Sequence, residues 1–326
     1  MKNGNQWLAA IAISCGLLAC SSHAANYDVP GDFPTIQAAI NAASNGDVIN
    51  VQPGTYNEQI NFLGKAISVL ASGGMGDVIL GDSSPPYTAS GPLVTFKNGE
   101  NYLSLLKGFD IVGADQAFDH FDSAPQIANC RIMHCGTSNF ESWNNPNQPL
   151  LMDCTFQYNN EMLFDVLWSN MYFIGCTFTM NSQPSGTSIA YVDGGSLSFV
   201  GCSFSRNAGD SSLSGYYGNF SLDSCTFEDN IGHCVSAYHG WISSDSSSFS
   251  NTIGRALSEY ECGVSAANSS FCNSTEGHVN EPKCYQGNGN VFDDLCGSSS
   301  SGACCLNTGC ISTSQAECLG AGGDFL

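Results

Sequence analysis

Asn129–Ile132 reads NCRI, Asp153–Phe156 DCTF, Gly175–Phe178 GCTF, Gly201–Phe204 GCSF and Ser224–Phe227 SCTF. Weaker copies extend the series on both sides: GFDI at Gly108–Ile111, SSSF at Ser246–Phe249, NSSF at Asn268–Phe271 and NVF at Asn290–Phe292. From Ile111 to Phe292 the last apolar position advances in steps of 21, 24, 22, 26, 23, 22, 22 and 21 residues. A period of this length marks a solenoid, in which each repeat buries its apolar face against the next.

Within one copy, the Cys and Phe slots alternate with a Thr or Ser slot. That is strand periodicity, with Cys and Phe inward and the hydroxyl outward. Ile127, Leu151, Phe173, Phe199 and Leu222 lie three residues before the Cys slot and break the alternation. One residue in left-handed conformation restores the phase. The residues at that bend are Gly108, Asn129, Asp153, Gly175, Gly201, Ser224, Ser246 and Asn268, mostly types that tolerate positive φ. Stacked coils set equivalent residues about 4.8 Å apart. Phe156, Phe178, Phe204, Phe227, Phe249 and Phe271 then form one interior row. Each ring contributes about 1.5–3 kcal/mol by burial, an upper bound set by an extended unfolded chain. The pattern predicts an all-β right-handed parallel β-helix of about 10 coils. It excludes a leucine-rich repeat, whose Leu-x-x-Leu-x-Leu spacing is absent.

The chain has 326 residues, 36 of them Gly, and 11% are charged, which suits a turn-rich β protein without long helices. Eight basic residues face 29 acidic ones, for a net charge of −21. No basic surface is available for nucleic acid. Unassisted binding of a polyanion is disfavoured, whereas a neutral glycan meets no penalty and a divalent cation could bridge to an acidic one. A monomer is expected.

Residues 1–24 read as a secretory leader: Lys2, the apolar run Trp7–Ala19, then the small-x-small site Ser22-His23-Ala24. The run is too short to cross a membrane, and no transmembrane segment is expected. Leu17-Leu18-Ala19-Cys20 also resembles a lipoprotein box that would put a lipid on Cys20. Ordinary cleavage is preferred, and either route leads to a secreted or cell-surface protein. The β-helix is expected over residues 26–296. It opens with a capping helix at 32–46, started by Pro34, stopped by Gly46 and apolar along Ile36, Ala39, Ile40 and Ala43. Such a helix blocks pairing at the open end of the solenoid. Residues 297–302 read as a Ser/Gly linker and 303–326 as a small Cys-rich tail that stops short of a further cysteine.

Two of the 17 cysteines lie in the leader. Cys130, Cys154, Cys176, Cys202 and Cys225 occupy the inward slot that Phe109, Ser247 and Ser269 fill on other coils. That interchange gives the thiols a packing role as small buried hydrophobes. Parallel side chains hold their Cβ atoms wider than the roughly 3.8 Å a disulfide prefers. Ten further cysteines, from Cys135 to Cys318, are an even number in a secreted chain and point to disulfides near the C-terminus. With no Cys-x-x-Cys pair and no His at ligand spacing, no metal is expected.

The helix at 32–46, the turn Gly54-Thr55-Tyr56 and the strand GKAISV at Gly64–Val69 resemble secreted right-handed β-helix proteins of the pectin-lyase-like superfamily. The cysteine-bearing rungs resemble its repeat-bearing members. The resemblance covers about residues 27–296. It implies the fold and a polysaccharide partner more strongly than any activity, because the superfamily holds lyases, hydrolases, esterases, epimerases and non-enzymatic surface proteins. Its lyases use a Lys or Arg base with calcium held by acids, and its hydrolases use paired carboxylates. Gly54-Thr55-Tyr56-Asn57-Glu58 matches the GxYxE box of pectin methylesterases, but the boxes that supply that family's catalytic residues have no match. It therefore reads as a turn at the start of the fold. The polygalacturonase and pectate-lyase signatures are also absent. No cofactor is expected, and calcium enters only with a lyase.

Acids and aromatics gather between the rungs. Trp143, Trp168, Tyr191, Tyr217, Tyr238 and Trp241 are candidates to stack on sugar rings; Asp165, Asp193, His239 and Glu259 are candidates for catalysis. His120, Asp122, Tyr216, Tyr260 and Glu261 accompany them. The plainer reading makes half of these aromatics interior and leaves the acids simply solvated, and it is preferred. Asp110 and Arg131 fill one outward slot on adjacent coils and read as a surface ion pair; a contact between Arg255 and Glu259 is left open. The functional expectation is a non-catalytic structural or glycan-binding protein. The alternative is a polysaccharide lyase or glycoside hydrolase with its groove on the third-strand face. A flat face there favours binding, and a pocket with paired carboxylates favours hydrolysis.

Overall fold

The computed structural model describes residues 24–326 apart from 83, 85–88, 142–147, 261–262, 280–284, 294–301, 307–308, 314–323 and 326. The leader, including the Cys20 box, lies outside the described residues, as do Trp143, Glu261 and most of the linker. Among the described residues no helix is long and apolar enough to cross a membrane.

The chain winds as a right-handed parallel β-helix with three parallel sheets. Sheet I has twelve strands, from Asn26–Val29 through Val48–Val51 to Tyr285–Asn288; sheet II has eleven, from Gly54–Tyr56 to Val291–Asp293; sheet III has nine, from Ile60–Asn61 to Leu257–Tyr260. The strand at Asn26–Val29 pairs with Val48–Val51 and begins the winding. The tail contributes a separate antiparallel sheet of Gly302–Leu306, Gly309–Thr313 and Asp324–Phe325.

From Gly108 onward, one-residue bends at positive φ separate the sheets. Between sheets I and II the bend residues sit at positive φ, from Gly108 at 87° and Asn129 at 50° to Asn268 at 50°. Two further bends use types that sequence does not flag for this conformation: Tyr158, Met180 and Arg206 after sheet II, and Trp168 and Tyr217 after sheet III. In-register pairing threads Phe156, Phe178, Phe204, Phe227, Phe249 and Phe271 into one column. Their ring centroids stand 4.4–5.0 Å apart with planes within 12°. Cys130, Cys154, Cys176, Cys202 and Cys225 form a second buried column of free thiols. The backbone N–H of Cys225 donates to the Ser247 hydroxyl, and that of Ser247 to the Ser269 hydroxyl, so serine continues the column with hydrogen bonds. Cys272, farther along, is disulfide-bonded.

A third column was not read from the sequence. Asn159, Asn181, Asn207 and Asn230 are buried at the corner between sheets II and III. Each Nδ2 donates to the carbonyl of the preceding coil's rung residue: Ile132, Phe156, Phe178 and Phe204. Each Oδ1 accepts the backbone N–H of the coil before, from Cys135, Asn159, Asn181 and Asn207 in turn. The ladder thus satisfies groups that the corner would otherwise strand without water.

The capping helix runs over Ile36–Ala42, shorter than expected. Thr35, not Pro34, is the cap, and its hydroxyl accepts the Ala38 N–H. Ile36, Ala39, Ile40 and Ala43 are buried as a face. The Glu58 carboxylate accepts from the N–H groups of Ile36 and Gln37, at 3.0 and 2.9 Å, and the Tyr56 hydroxyl donates to the carbonyl of Gln52 at 2.9 Å. The GTYNE box therefore ties the helix onto the first coil, with Glu58 at the positive end of the helix. One charge-pair expectation is corrected, and one open contact finds another partner. Asp110 is buried rather than superficial, and it pairs with a half-buried Arg131 beside the Gly73–Asp77 turn, where Gly76 faces the guanidinium. Arg255 faces Glu276 one coil later, at 3.8 Å.

Candidate functional site

The corner between sheets III and I gathers most of the candidate side chains, because register repeats them along the axis. One outward column of sheet III runs Asp165, Tyr191, Ser214, Ser236. The next runs Leu167, Asp193, Tyr216, Tyr238, Tyr260. The bend adds Trp168, Gly194, Tyr217 and His239, all at positive φ. Glu259 pairs with Ala237 in register, and its side chain lies outside the described residues. His120 is interior.

The preference for an interior role fails for the rest. Trp168, Tyr216, Tyr217, Tyr238, Trp241 and Tyr260 are exposed, and Tyr191 is half-buried. Their rings are used in two ways. Tyr216, Tyr238 and Tyr260 stack face to face at 5.2 and 4.8 Å, and Tyr217 stacks on His239 at 5.1 Å. These rings cover one another's faces and present edges and hydroxyls. The tryptophans differ. Trp168 is 58% exposed and lies across Gly194 of the next coil, where a Cβ would fall 2.6 Å from its Cε3. Trp241 is 41% exposed and lies across Gly263, where a Cβ would overlap its Cζ3 and Cε3. Each indole thus packs its six-membered ring against a glycine of the next coil while about half of the residue stays exposed. The two stand three coils apart, about 14 Å along the axis. Sequence reasoning named both tryptophans and missed the glycines beneath them; register from Asn170 to Ser196 and from Trp241 to Gly263 would have found them.

Asp165 and Asp193 flank Tyr191: one pairs beside it and the other lies two residues along its strand, about 8 Å apart at Cα by strand geometry. Burial raises the Tyr191 hydroxyl pKa, and the charges of Asp193 and Asp165 add to it. Among the described residues no three His, Cys, Asp or Glu side chains gather to hold a metal. The concavities lie elsewhere. One cleft of about 590 Å³ includes Asp115, His134, Tyr158 and Glu161, and another of about 570 Å³ includes Asp210, Ser211, His233 and Glu276. Both sit at the sheet II–III corner, at the far end of the sheet III strands, so the aromatic corner lies outside both clefts.

No curated protein matches the sequence. Among solved structures, a pectate lyase, Pel9A, superposes with a TM-score of 0.54 at 15% identity, covering 87% of this chain and 83% of its own. An alginate lyase bound to a trisaccharide reaches 0.46 at 8% identity, over 90% and 92% of the two chains. A pectin methylesterase from carrot reaches 0.39 at 10% identity, over 81% and 87%. At these identities the first likeness speaks for the fold alone. The family described as right handed beta helix region matches residues 117–281, just over half of the chain and the part that carries the columns described above. The chain belongs to the right-handed β-helix family.

Proposed function

We propose that this is a secreted or cell-surface glycan-binding protein without catalysis, which holds an uncharged polysaccharide along the sheet III–I corner. The observation that carries this reading is the pair of exposed indoles packed over Gly194 and Gly263. An exposed aromatic face offers a sugar's apolar C–H face a dehydrated contact. Two such faces about 14 Å apart suit a chain several sugars long. Tyr216, Tyr217, Tyr238 and His239 supply hydroxyl and ring edges between them. The net charge of −21, with Asp165 and Asp193 at the corner, favours a neutral chain over a uronate.

Affinity electrophoresis through gels containing neutral or uronate polysaccharides tests the reading. Retardation by a neutral polysaccharide, weakened in Trp168→Ala and in Trp241→Ala, is the expected result. Retardation unchanged in both variants would sink it. The second reading is a glycoside hydrolase, favoured by the two carboxylates that flank Tyr191. Release of reducing ends by the wild type but not by Asp165→Asn or Asp193→Asn would replace binding with hydrolysis.

A further inference from the structure

The cleft at Asp210 and His233 is a trough running along the solenoid axis. It extends from Thr187 to Glu276, over four coil steps or about 19 Å. Its floor is glycine backbone: a Cβ on Gly232 would collide with the Gly209 carbonyl, and one on Gly254 with the Gly232 carbonyl at 2.6 Å. One side is apolar. Ile231 and Ile253 pair across adjacent coils and are 54% and 57% exposed. The other side is polar, with Ser211, Ser214 and Ser236 beside His233 and carboxylates from Asp210 and Glu276.

Serine, histidine and aspartate together suggest a nucleophilic triad, but hydrogen bonding excludes one. His233 Nδ1 accepts the backbone N–H of Arg255 at 2.9 Å. The neutral ring therefore carries its proton on Nε2, which leaves no lone pair free to take a proton from serine. His233 is a fixed donor flanked by carboxylate acceptors. Donors, acceptors and hydroxyls on one wall and aliphatic carbon on the other match a sugar ring, whose hydroxyl rim and C–H face differ in the same way. Two carboxylates line the trough, and Arg255 faces one of them, Glu276, at 3.8 Å. A uronate would be repelled.

We propose that this trough is a second carbohydrate site, which takes an uncharged saccharide chain lengthwise, with Asp210 and Glu276 accepting from sugar hydroxyls and the His233 Nε2–H donating to one. It shares the ligand class of the aromatic corner but none of its aromatic rings, and Ser214 and Ser236 continue the column of Tyr191 into it. The strands Ala208–Tyr216 and Ile231–Tyr238 start in the trough and end in the tyrosine column, so both sites span the same coils. A protein so built holds two chains at once, and two linked contacts on one polysaccharide network raise avidity without new contacts.

Titration calorimetry with uncharged β-1,4-linked gluco-, xylo- and manno-oligosaccharides, and an oligogalacturonide as charged control, tests the proposal. The proteins are the wild type, Trp168→Ala/Trp241→Ala, and that double variant with Ser236→Tyr or Asp210→Asn added. Tyr191 occupies the column of Ser236, so a ring there is compatible with the coil and fills the trough. An uncharged oligosaccharide is expected to bind the Trp double variant, and each added trough substitution to weaken it at least about tenfold. Loss of all binding in the Trp double variant would leave the aromatic corner alone and overturn the trough. Binding indifferent to both trough substitutions, tighter binding of the oligogalacturonide, or no binding by the wild type would also overturn it. Binding that the tryptophan changes leave untouched and the trough changes abolish would retain the trough and remove the corner.

Discussion

Gly263 lacks a side chain where Trp241 needs the space. A methyl group there overlaps the indole, so Gly263→Ala must lift the ring off the coil. Gly263 is not held at positive φ, so the change imposes a steric cost without backbone strain. The expected outcome is a native circular dichroism spectrum, red-shifted tryptophan emission, and glycan affinity reduced to the level of Trp241→Ala. Affinity equal to wild type would show that the seated ring is not the contact. The thiol column makes a different residue-scale prediction. Burial raises the thiol of Cys154, that of Cys135 to about 11 and that of Cys234 to about 12, and all seven described free thiols are buried. A reagent must also reach the sulfur, and burial denies access to all seven, so they are expected to stay silent to Ellman's reagent in the native protein and to react on unfolding in guanidinium. Rapid native reaction at Cys130, Cys154, Cys176, Cys202 or Cys225, located by peptide mapping, would contradict the packing role.

At the scale of the element, the asparagine ladder is the most exacting device in the coil. Asn181→Ala strands the Asn159 N–H in the interior and removes the side-chain bond that the Phe156 carbonyl accepts in addition to its strand pairing. At about 1–3 kcal/mol for a stranded buried group, the variant should lose about 1–3 kcal/mol, checked by its urea midpoint. A loss within about 0.5 kcal/mol would mean that the ladder adds little. The element scale also shows what the sequence disclosed. The bend after sheet I was legible because Gly, Asn and Asp carry a positive-φ preference, and because Ile127 and Cys130 fall out of phase by one residue. The bends at Tyr158, Met180 and Trp168 were not, since stacking neighbours impose that conformation on residues with no preference for it. Phe156-x-x-Asn159, repeated at Phe178, Phe204 and Phe227, was visible as text. Its meaning was hidden because asparagine at a turn usually faces solvent. The candidate corner was half legible: aromatic identity named the tryptophans, but ring orientation and the trough behind them depend on cross-coil register.

On the scale of the whole molecule, acid sets two effects against each other. Protonation lowers the magnitude of a net charge of −21 and relieves self-repulsion. It also challenges histidines that the fold holds neutral. His120 lies between Phe96 and Phe140 in register, 1% exposed and stacked on Phe140 at 5.1 Å. Burial lowers its pKa, and the Ser123 carbonyl with Glu100, Asp122 and Asp119 only partly offsets that. Burial also lowers His233, against opposing pulls from Glu276 and Asp210. A folded-state pKa below the unfolded value of about 6.5 means the unfolded chain binds more protons as pH falls through that value. The stability these two histidines contribute is therefore complete above about pH 6.5 and lost below it. Between pH 7.5 and 5.5 most carboxylates remain ionised, so relief of self-repulsion is small and the histidines decide the sign. The urea midpoint is expected to fall over that interval. His120→Phe extends the aromatic column that Phe96 and Phe140 already form, and it should flatten the fall even if loss of the Ser123 contact lowers stability uniformly. A slope identical to wild type in His120→Phe would assign the acid sensitivity to other groups.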